Sequence, residues 1–577
     1  MKYSGKGILN RLHNIFFGEL SEHRVKSLLI YFMLISVWEV LAYLEKGFIS
    51  MIASRSWVFT GLVCLAGVVV YFLKTLIQDL KEKQYLSIAA IFLLMLFLFY
   101  LAGNINLSDI NPDATQQAAA GLNSYKSGDY NYTGKAFLGY PSRQYLIAAW
   151  PALLFGRSIL TLHMGFAFPF LLGVILMYCA LRKWVHRKNL SPGLAVLPLY
   201  ALFVFPFVTE YYTNFEQAIY PISFTMLAIG FYLLLLCEPN VINMMGLAWI
   251  GCLFSNSYTP GLASLGLLLV FVALSAYGLL KKPEKMPFDV PSPRLAAKSL
   301  WMVDINVVVF FLATLLDKRQ DRLTELRSDT SLIKLTYQSI TDFLTDKNAV
   351  FFGMFGMIVI IYLVAGLTFR FKLRDFLLSL WILGVFVATY LLAGYTSYEP
   401  AWIMQRALIV IPVIIVAVTL TVFDLMSKYN VKLRNGVAAA ILVSFALVGI
   451  YNFNQINQSF TYFNKIQPMK YMWSDLEAAV KENGLDAESQ FNLILYTDSI
   501  LMKNPADYCK FFYPNAKVYT PEQGAWPSDL DTGQVTFVYG EDEFADTLPI
   551  DLQEVKRFED GKYDMTVTWY KGVIERN

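Results

Sequence analysis

Residues 104–156 read NINLSDINPDATQQAAAGLNSYKSGDYNYTGKAFLGYPSRQYLIAAWPALLFG, and this stretch sets the reading of the whole chain. It follows a strongly apolar run at 85–102 and carries Asp109 and Asp113 within one or two helical turns of the point where that run must leave a bilayer. Carboxylates there can meet a lipid headgroup. The Ala- and Gln-rich segment from Ala114 predicts a helix stopped by Gly128. Tyr140 and Pro141 then open a second apolar run, 145–155, short enough to lie in the membrane interface.

Asp113, then Ser127, Gly128 and Asp129 after the helix, then aromatic-Pro and the apolar run ending Leu154, Phe155, Gly156, resemble the first external loop of the GT-C glycosyltransferases. The resemblance is to the group that includes aminoarabinose and protein-mannose transferases, membrane enzymes that use polyprenyl-phosphate sugars. The interval from Asp113 to Gly128 and Asp129 matches that loop without a gap, which favours Asp113 over Asp109. Two positions depart from the pattern. Ala114 stands where the family often has Glu, and Tyr140-Pro141-Ser142 stands where it often has a charged residue before Pro-Pro.

Composition agrees with a chain held largely in lipid. Of its 577 residues 56% are hydrophobic and 16% charged, against about a quarter charged in soluble domains. A net charge of +3, with no basic run interleaved with aromatics, gives no sign of a nucleic-acid partner. The five cysteines are scattered and form neither a zinc pattern nor a disulfide framework. The first 27 residues are basic and mildly amphipathic and lead into an apolar run with no small-residue cleavage site, so they read as preceding an uncleaved span.

Runs of roughly 17 or more apolar residues are needed to cross about 30 Å of hydrocarbon. Candidates lie at 25–44, 57–73, 85–102, 159–181, 193–209, 218–237, 241–254, 259–280, 300–316, 350–369, 376–393, 402–423 and 436–451. The expected fold is an all-α polytopic membrane protein, GT-C-like, with about 13 transmembrane helices, and a C-terminal extracytoplasmic α/β domain. Treating 145–155 as interfacial puts Arg182, Lys183, His186, Arg187 and Lys188 in the cytoplasm together with Lys81, Lys83, Lys281, Lys282, Arg370, Lys372, Arg374, Lys428 and Lys432. The N-terminus is then cytoplasmic, and the Asp113 loop and the C-terminal region lie outside the cell membrane.

Three parts follow: 1–84, an N-terminal segment with two additional helices; 85–455, the catalytic core with its first external loop at 103–157; and 456–577, the extracytoplasmic domain, bounded by a fall in hydropathy at 455–467. Within the last, 473–483 fits a helix ended by Gly484, and 491–496, 535–539 and 565–570 fit strands.

Transfer of a sugar from a polyprenyl phosphate needs a base for the acceptor hydroxyl, a cation for the departing phosphate and an apolar groove. The resemblance implies Asp113 as the base of an inverting displacement, which needs one carboxylate where the retaining route needs two groups. The residues alone also fit Asp113 as a helix N-cap, and the two readings are compatible. Asp109 is either an assisting acid or a solvated one. Glu216, in the second external loop, either holds acceptor groups, or a divalent ion beside Asp113, or faces a helix dipole.

Arg406, one turn inside the run starting at Trp402, pairs with a phosphate or with Glu399. Arg143 holds the same phosphate or reaches lipid headgroups, and Tyr140 and Gln405 complete the candidate substrate contacts. The implied partners are a polyprenyl-phosphate sugar donor, a glycan, lipid or protein acceptor, and the bilayer. Three rivals share parts of this profile. A polymerase or ligase with a diphosphate-linked donor has the same hydropathy, a transporter needs polar groups at the midplane, and a scaffold would act through the tail alone.

Overall fold

The computed structural model describes residues 5–44, 48–103, 112–127, 143–202, 219–255, 259–283, 290–315, 476–495, 505–519, 534–540, 553–560 and 565–573, with isolated positions at 208, 212 and between 409 and 451. Helices α1 (Gly5–Phe17), α2 (Glu22–Leu44), α3 (Phe48–Lys81) and α4 (Tyr85–Gly103) lead to α5 (Pro112–Ser127). Two short helices, α6 (Gln144–Ala148) and α7 (Trp150–Phe155), precede the long α8 (Ile159–Arg187). After a 3-10 turn at Pro192–Ala195 come α9 (Leu197–Ala201), α10 (Ile219–Cys237), α11 (Val241–Ser255), α12 (Thr259–Lys281) and α13 (Pro293–Leu315). Among the described residues, six helices are long and apolar enough to cross a membrane.

α8 and α10 form the centre of the bundle. In their most apolar windows 83% and 89% of residues are buried, against 39% for α4, whose Leu86, Leu93, Leu96 and Phe99 face outward as lipid-facing side chains would. The two central helices approach through small residues: Gly173 sits against Met226 and the Ser223 carbonyl, and Gly230 against Leu176. α8 starts with a capping box in which Ser158 and Thr161 satisfy each other's backbone N–H groups. Pro169, inside α8, has no N–H to offer the Gly165 carbonyl one turn back, and the Tyr220 hydroxyl of α10 donates to that carbonyl instead, at 3.1 Å.

The basic end of α8 is tied down by acids from α3. Arg182 Nε donates to Asp79 Oδ1 at 2.6 Å and its Nη2 to Glu82 Oε2 at 2.5 Å, while Tyr178 donates to Asp79 Oδ2 at 2.6 Å and meets Ser87 of α4 at 3.0 Å. Gln78 and then Arg182 hold the Glu82 carboxyl below its ordinary pKa. Beside this network Lys183 pairs with Glu238, and Arg187 caps α10 by donating to the Cys237 carbonyl at 2.8 Å. Asn306 of α13 crosses to Ser36 of α2 at 2.7 Å, so buried polar groups also fix the second ring of helices.

Two expectations are revised. The run at 193–209 is not one continuous helix in its described part: a 3-10 turn opened by Pro192 gives way to α9, opened by Pro198, because proline interrupts the hydrogen-bond ladder. The run expected at 300–316 begins earlier, as α13 at Pro293, so Asp304 lies eleven residues into that helix. Asp304 is buried there, with Oδ1 lacking a hydrogen-bond partner among the described residues. The runs 350–369, 376–393 and 402–423, and most of 436–451, lie outside the described residues.

Toward the C-terminus a helical segment, 476–482, precedes β1 (Asn492–Leu495), α14 (Pro505–Phe512), β2 (Lys517–Tyr519), β3 (Val535–Gly540), β4 (Gln553–Asp560) and β5 (Met565–Val573). The sheet order is β2-β1-β3-β5-β4, with β1 parallel to both neighbours and β5 antiparallel to β3 and β4. The four residues of β1 are all buried, as a central parallel strand requires, and the side-chain Nδ2 of Asn492 donates to Thr536 Oγ1 of β3 at 3.2 Å.

Candidate functional site

The candidate site is organised by α5, a helix of polar composition that is nevertheless enclosed. It starts at Pro112, a residue preorganised for the first helical position, which makes Asp113 the second helical residue and not the cap. A carboxylate in a first turn still faces unpaired backbone N–H groups and the positive end of the helix dipole. Further along, Ala114, Thr115, Gln117, Ala118, Gly121, Leu122 and Ser124 are all buried.

Close backbone packing causes this enclosure. Any Cβ at Gly121 of α5 would stand 2.1 Å from the Tyr145 carbonyl oxygen of α6, and one at Gly165 of α8 would stand 2.2 Å from the Ala148 carbonyl oxygen. α6 is therefore gripped from two sides by helices whose side chains have been reduced to hydrogen at the contact. Trp150 Nε1 adds a hydrogen bond to the Tyr125 hydroxyl at 2.5 Å, holding α7 to α5. Gly156 then turns the chain into α8 at φ +83°, a conformation that favours glycine, leaving Leu154 and Phe155 exposed as an apolar tip.

This grip yields a measurable consequence. Gly→Ala inside a helix ordinarily stabilises by about 1 kcal/mol, yet Gly165→Ala should destabilise by about 1–3 kcal/mol because the added methyl meets backbone. Gly266→Ala in α12, where the new carbon meets nothing within 4 Å, is the control and should not lower the melting temperature. Equal melting temperatures for the two variants would show that α6 is not held this way.

Arg143 immediately precedes α6 and is 1% exposed. Its guanidinium carbon lies 4.9 Å from the Trp57 ring of α3 and 5.2 Å from the Phe310 ring of α13, so it reaches into the bundle between two aromatic faces and not toward headgroups. Trp57 in turn packs on Trp249 of α11, with ring centroids 5.2 Å apart.

Two buried amides, Gln117 of α5 and Gln144 of α6, were not singled out from sequence. All four of their side-chain polar atoms lack a hydrogen-bond partner among the described residues. Buried amides normally find partners, so these two mark polar ground beside the α5–α6 contact. Their only signal in the sequence was a glutamine on the same helical face as an obligatory glycine, Gln117 being one turn before Gly121.

Of the residues named from sequence, Asp113 and Arg143 are thus carried by two helical elements packed on one another. Asp109, Tyr140, Glu216, Gln405 and Arg406 lie outside the described residues, as does the side chain of Asp113. Among the described residues no three His, Cys, Asp or Glu side chains gather as a metal site would require. The C-terminal region reaches the same end of the bundle: α14 packs on α5, and Arg157 Nη2 pairs with Glu488 Oε1 at 3.2 Å.

No protein-family model matches the chain, and no curated protein matches it. Among solved structures it is similar to ArnT from Cupriavidus metallidurans bound to undecaprenyl phosphate, with 13% identity, a TM-score of 0.44, and coverage of 84% of this chain and 97% of that one. It is likewise similar to the apo state of the same protein, with 14% identity, a TM-score of 0.40, and coverage of 83% and 97%.

Proposed function

We propose that this chain is a multi-spanning membrane glycosyltransferase that moves one sugar from a polyprenyl-phosphate donor to an acceptor on the outer face. The observation that carries the reading is the enclosure of polar α5, with Asp113 in its first turn, against α6 and the buried Arg143. Enclosing so many polar groups among apolar helices is costly unless the place has a polar occupant. The orientation rests on charge: Arg182, Lys183 and Arg187 lie at the end of α8, and the α5–α7 segment leads into its start, so cytoplasmic placement of the basic end puts α5 outside. The same orientation places 456–577 outside as an extracytoplasmic α/β domain.

In the proposed reaction Asp113 takes the proton of the acceptor hydroxyl as that oxygen bonds to the anomeric carbon. The bond from that carbon to the phosphate oxygen breaks on the opposite face, which inverts the centre. The electron pair leaves with polyprenyl phosphate, whose charge Arg406 and Arg143 are suited to hold, since a guanidinium matches phosphate with two parallel donors. Glu216, Asp109, Tyr140 and Gln405 are proposed substrate contacts.

Protein reconstituted in liposomes and given labelled monophosphate-linked and diphosphate-linked donors separately tests this reading. Sugar transfer with release of polyprenyl phosphate from the monophosphate donor is the expected result. Turnover of the diphosphate donor alone would replace the proposal with a polymerase or ligase.

A further inference from the structure

At the basic end of the bundle a lysine stands on a lipid-facing surface with no carboxylate to hold it. α3 has 34 residues, about 51 Å of helix, against roughly 40–45 Å for a whole bilayer with its headgroups, so its last turns emerge from the hydrocarbon. Lys74 lies seven residues before the end of α3, about 10 Å along the axis. It is exposed between Leu73 and Ile77, each 52% exposed, which puts its ammonium where acyl chains give way to headgroups.

The aromatic rings beside it do not neutralise that charge. Lys74 Nζ lies 4.4 Å from the centre of the Phe17 ring of α1 and 6.0 Å from that of Tyr71, while Lys183 Nζ of α8 lies 5.2 Å from the same Tyr71 ring. Two ammonium groups thus share one ring. Among the described residues the carboxylate within electrostatic reach of Lys74 is Glu238, and it is already paired with Lys183. Lys74 itself forms no ion pair among the described residues.

α1 supplies an apolar surface next to this charge. Residues 1–17 hold Lys2, Lys6, Arg11 and His13 and no acid. Leu12, Ile15 and Phe16 share one helical face, with Leu12 46% and Ile15 52% exposed, while Phe17 packs edge-on against Tyr71 with ring centroids 5.4 Å apart. The chain after α1 is anchored where the Leu20 N–H donates to the Pro239 carbonyl at 3.0 Å, next to Glu238. A short basic helix with an outward apolar face, fixed beside the end of a span, suits a membrane interface with acidic headgroups.

A zwitterionic headgroup would bring a further cation to a place that already has two, so net negative charge sets the preference. We propose that the junction of α1 with the end of α3 holds one anionic phospholipid, its phosphate on Lys74 and its acyl chains against Leu73 and Ile77 of α3 and Leu12 and Ile15 of α1.

This lipid site stands apart from the transfer reaction, and its test needs no turnover. The full chain in detergent is titrated with dioleoyl phosphatidylglycerol or dioleoyl phosphatidylcholine, and the lipid-bound species are resolved by native mass spectrometry. The first phosphatidylglycerol should bind about fivefold or more tighter than phosphatidylcholine, and Lys74→Gln should remove about that factor, the worth of one lysine near a membrane surface. Lys74→Arg should retain the preference. Leu12→Glu, which puts an acid on the exposed face of α1, should weaken binding at least as much as Lys74→Gln.

Lys281→Gln, the same charge change in the last turn of α12, is the control and should leave binding within about twofold. Equal affinity for the two lipids or an unchanged preference in Lys74→Gln would overturn the proposal. An equal loss in Lys281→Gln would replace it with diffuse charge attraction. Full displacement of the lipid by soluble glycerol 3-phosphate would identify a free-phosphate site and overturn the lipid assignment.

Discussion

Asp113→Asn should lower sugar transfer by about 10²–10⁴-fold, the range expected when a positioned general base is removed. The substitution is informative because it separates the two things this residue can do in the second position of α5. Asn keeps the size of the side chain and one carbonyl oxygen as a hydrogen-bond acceptor. It gives up only about 0.3–1 kcal/mol of favourable charge–dipole interaction, but it cannot accept the acceptor's proton.

The melting temperature should therefore stay close to that of the parent protein while turnover collapses, and binding of polyprenyl phosphate should change little. Asp113→Glu, which keeps the base but moves it by a methylene, should fall between the two. Transfer by Asp113→Asn within tenfold of the parent rate would remove this carboxylate from the chemistry.

The second large effect lies at the other end of α8. Asp79→Leu should destabilise the protein by about 3–5 kcal/mol, because it strands the Arg182 guanidinium, whose side chain is 3% exposed, beside an apolar group. Glu82, 32% exposed, remains as a partner but is too wet to compensate fully. Tyr178 loses its acceptor too, though Ser87 remains within 3.0 Å.

The double variant Asp79→Leu/Arg182→Met should recover most of the loss, since replacing both members of a buried pair by apolar groups removes the desolvation cost together with the attraction. Melting curves of the two variants in one detergent decide the matter. If the double variant melts as low as the single one, the buried pair is not what clamps α3 to α8.

The legible part of the site was its local grammar. The helix expected from Ala114 to Gly128 is α5, Pro112–Ser127, and the short run before Gly156 is a pair of short helices and not a span. The two-residue difference at the start of α5 changed Asp113 from cap to first-turn residue, because proline is tolerated where the helix has no N–H to lose. The illegible part was long-range. Nothing near Arg143 in sequence announces Trp57 or Phe310 as its neighbours. Gln117 and Gln144 looked like ordinary polar residues until the glycine contacts brought their helices together.

Among the described residues, the sequence by itself determined where most of the long apolar helices lie. In lipid an unbroken apolar run of sufficient length has no other way to pair its backbone groups, while proline, glycine and capping residues such as Ser158 end or interrupt it locally. Only the tertiary structure decided which polar groups are shut in together. Asp79 meets Arg182 across 103 residues, and Tyr220 supplies the proton donor that Pro169 withholds from Gly165. A helical repeat names the face a residue occupies, but the partner of that face depends on how closely two backbones approach, and here glycines distant in the chain set that distance.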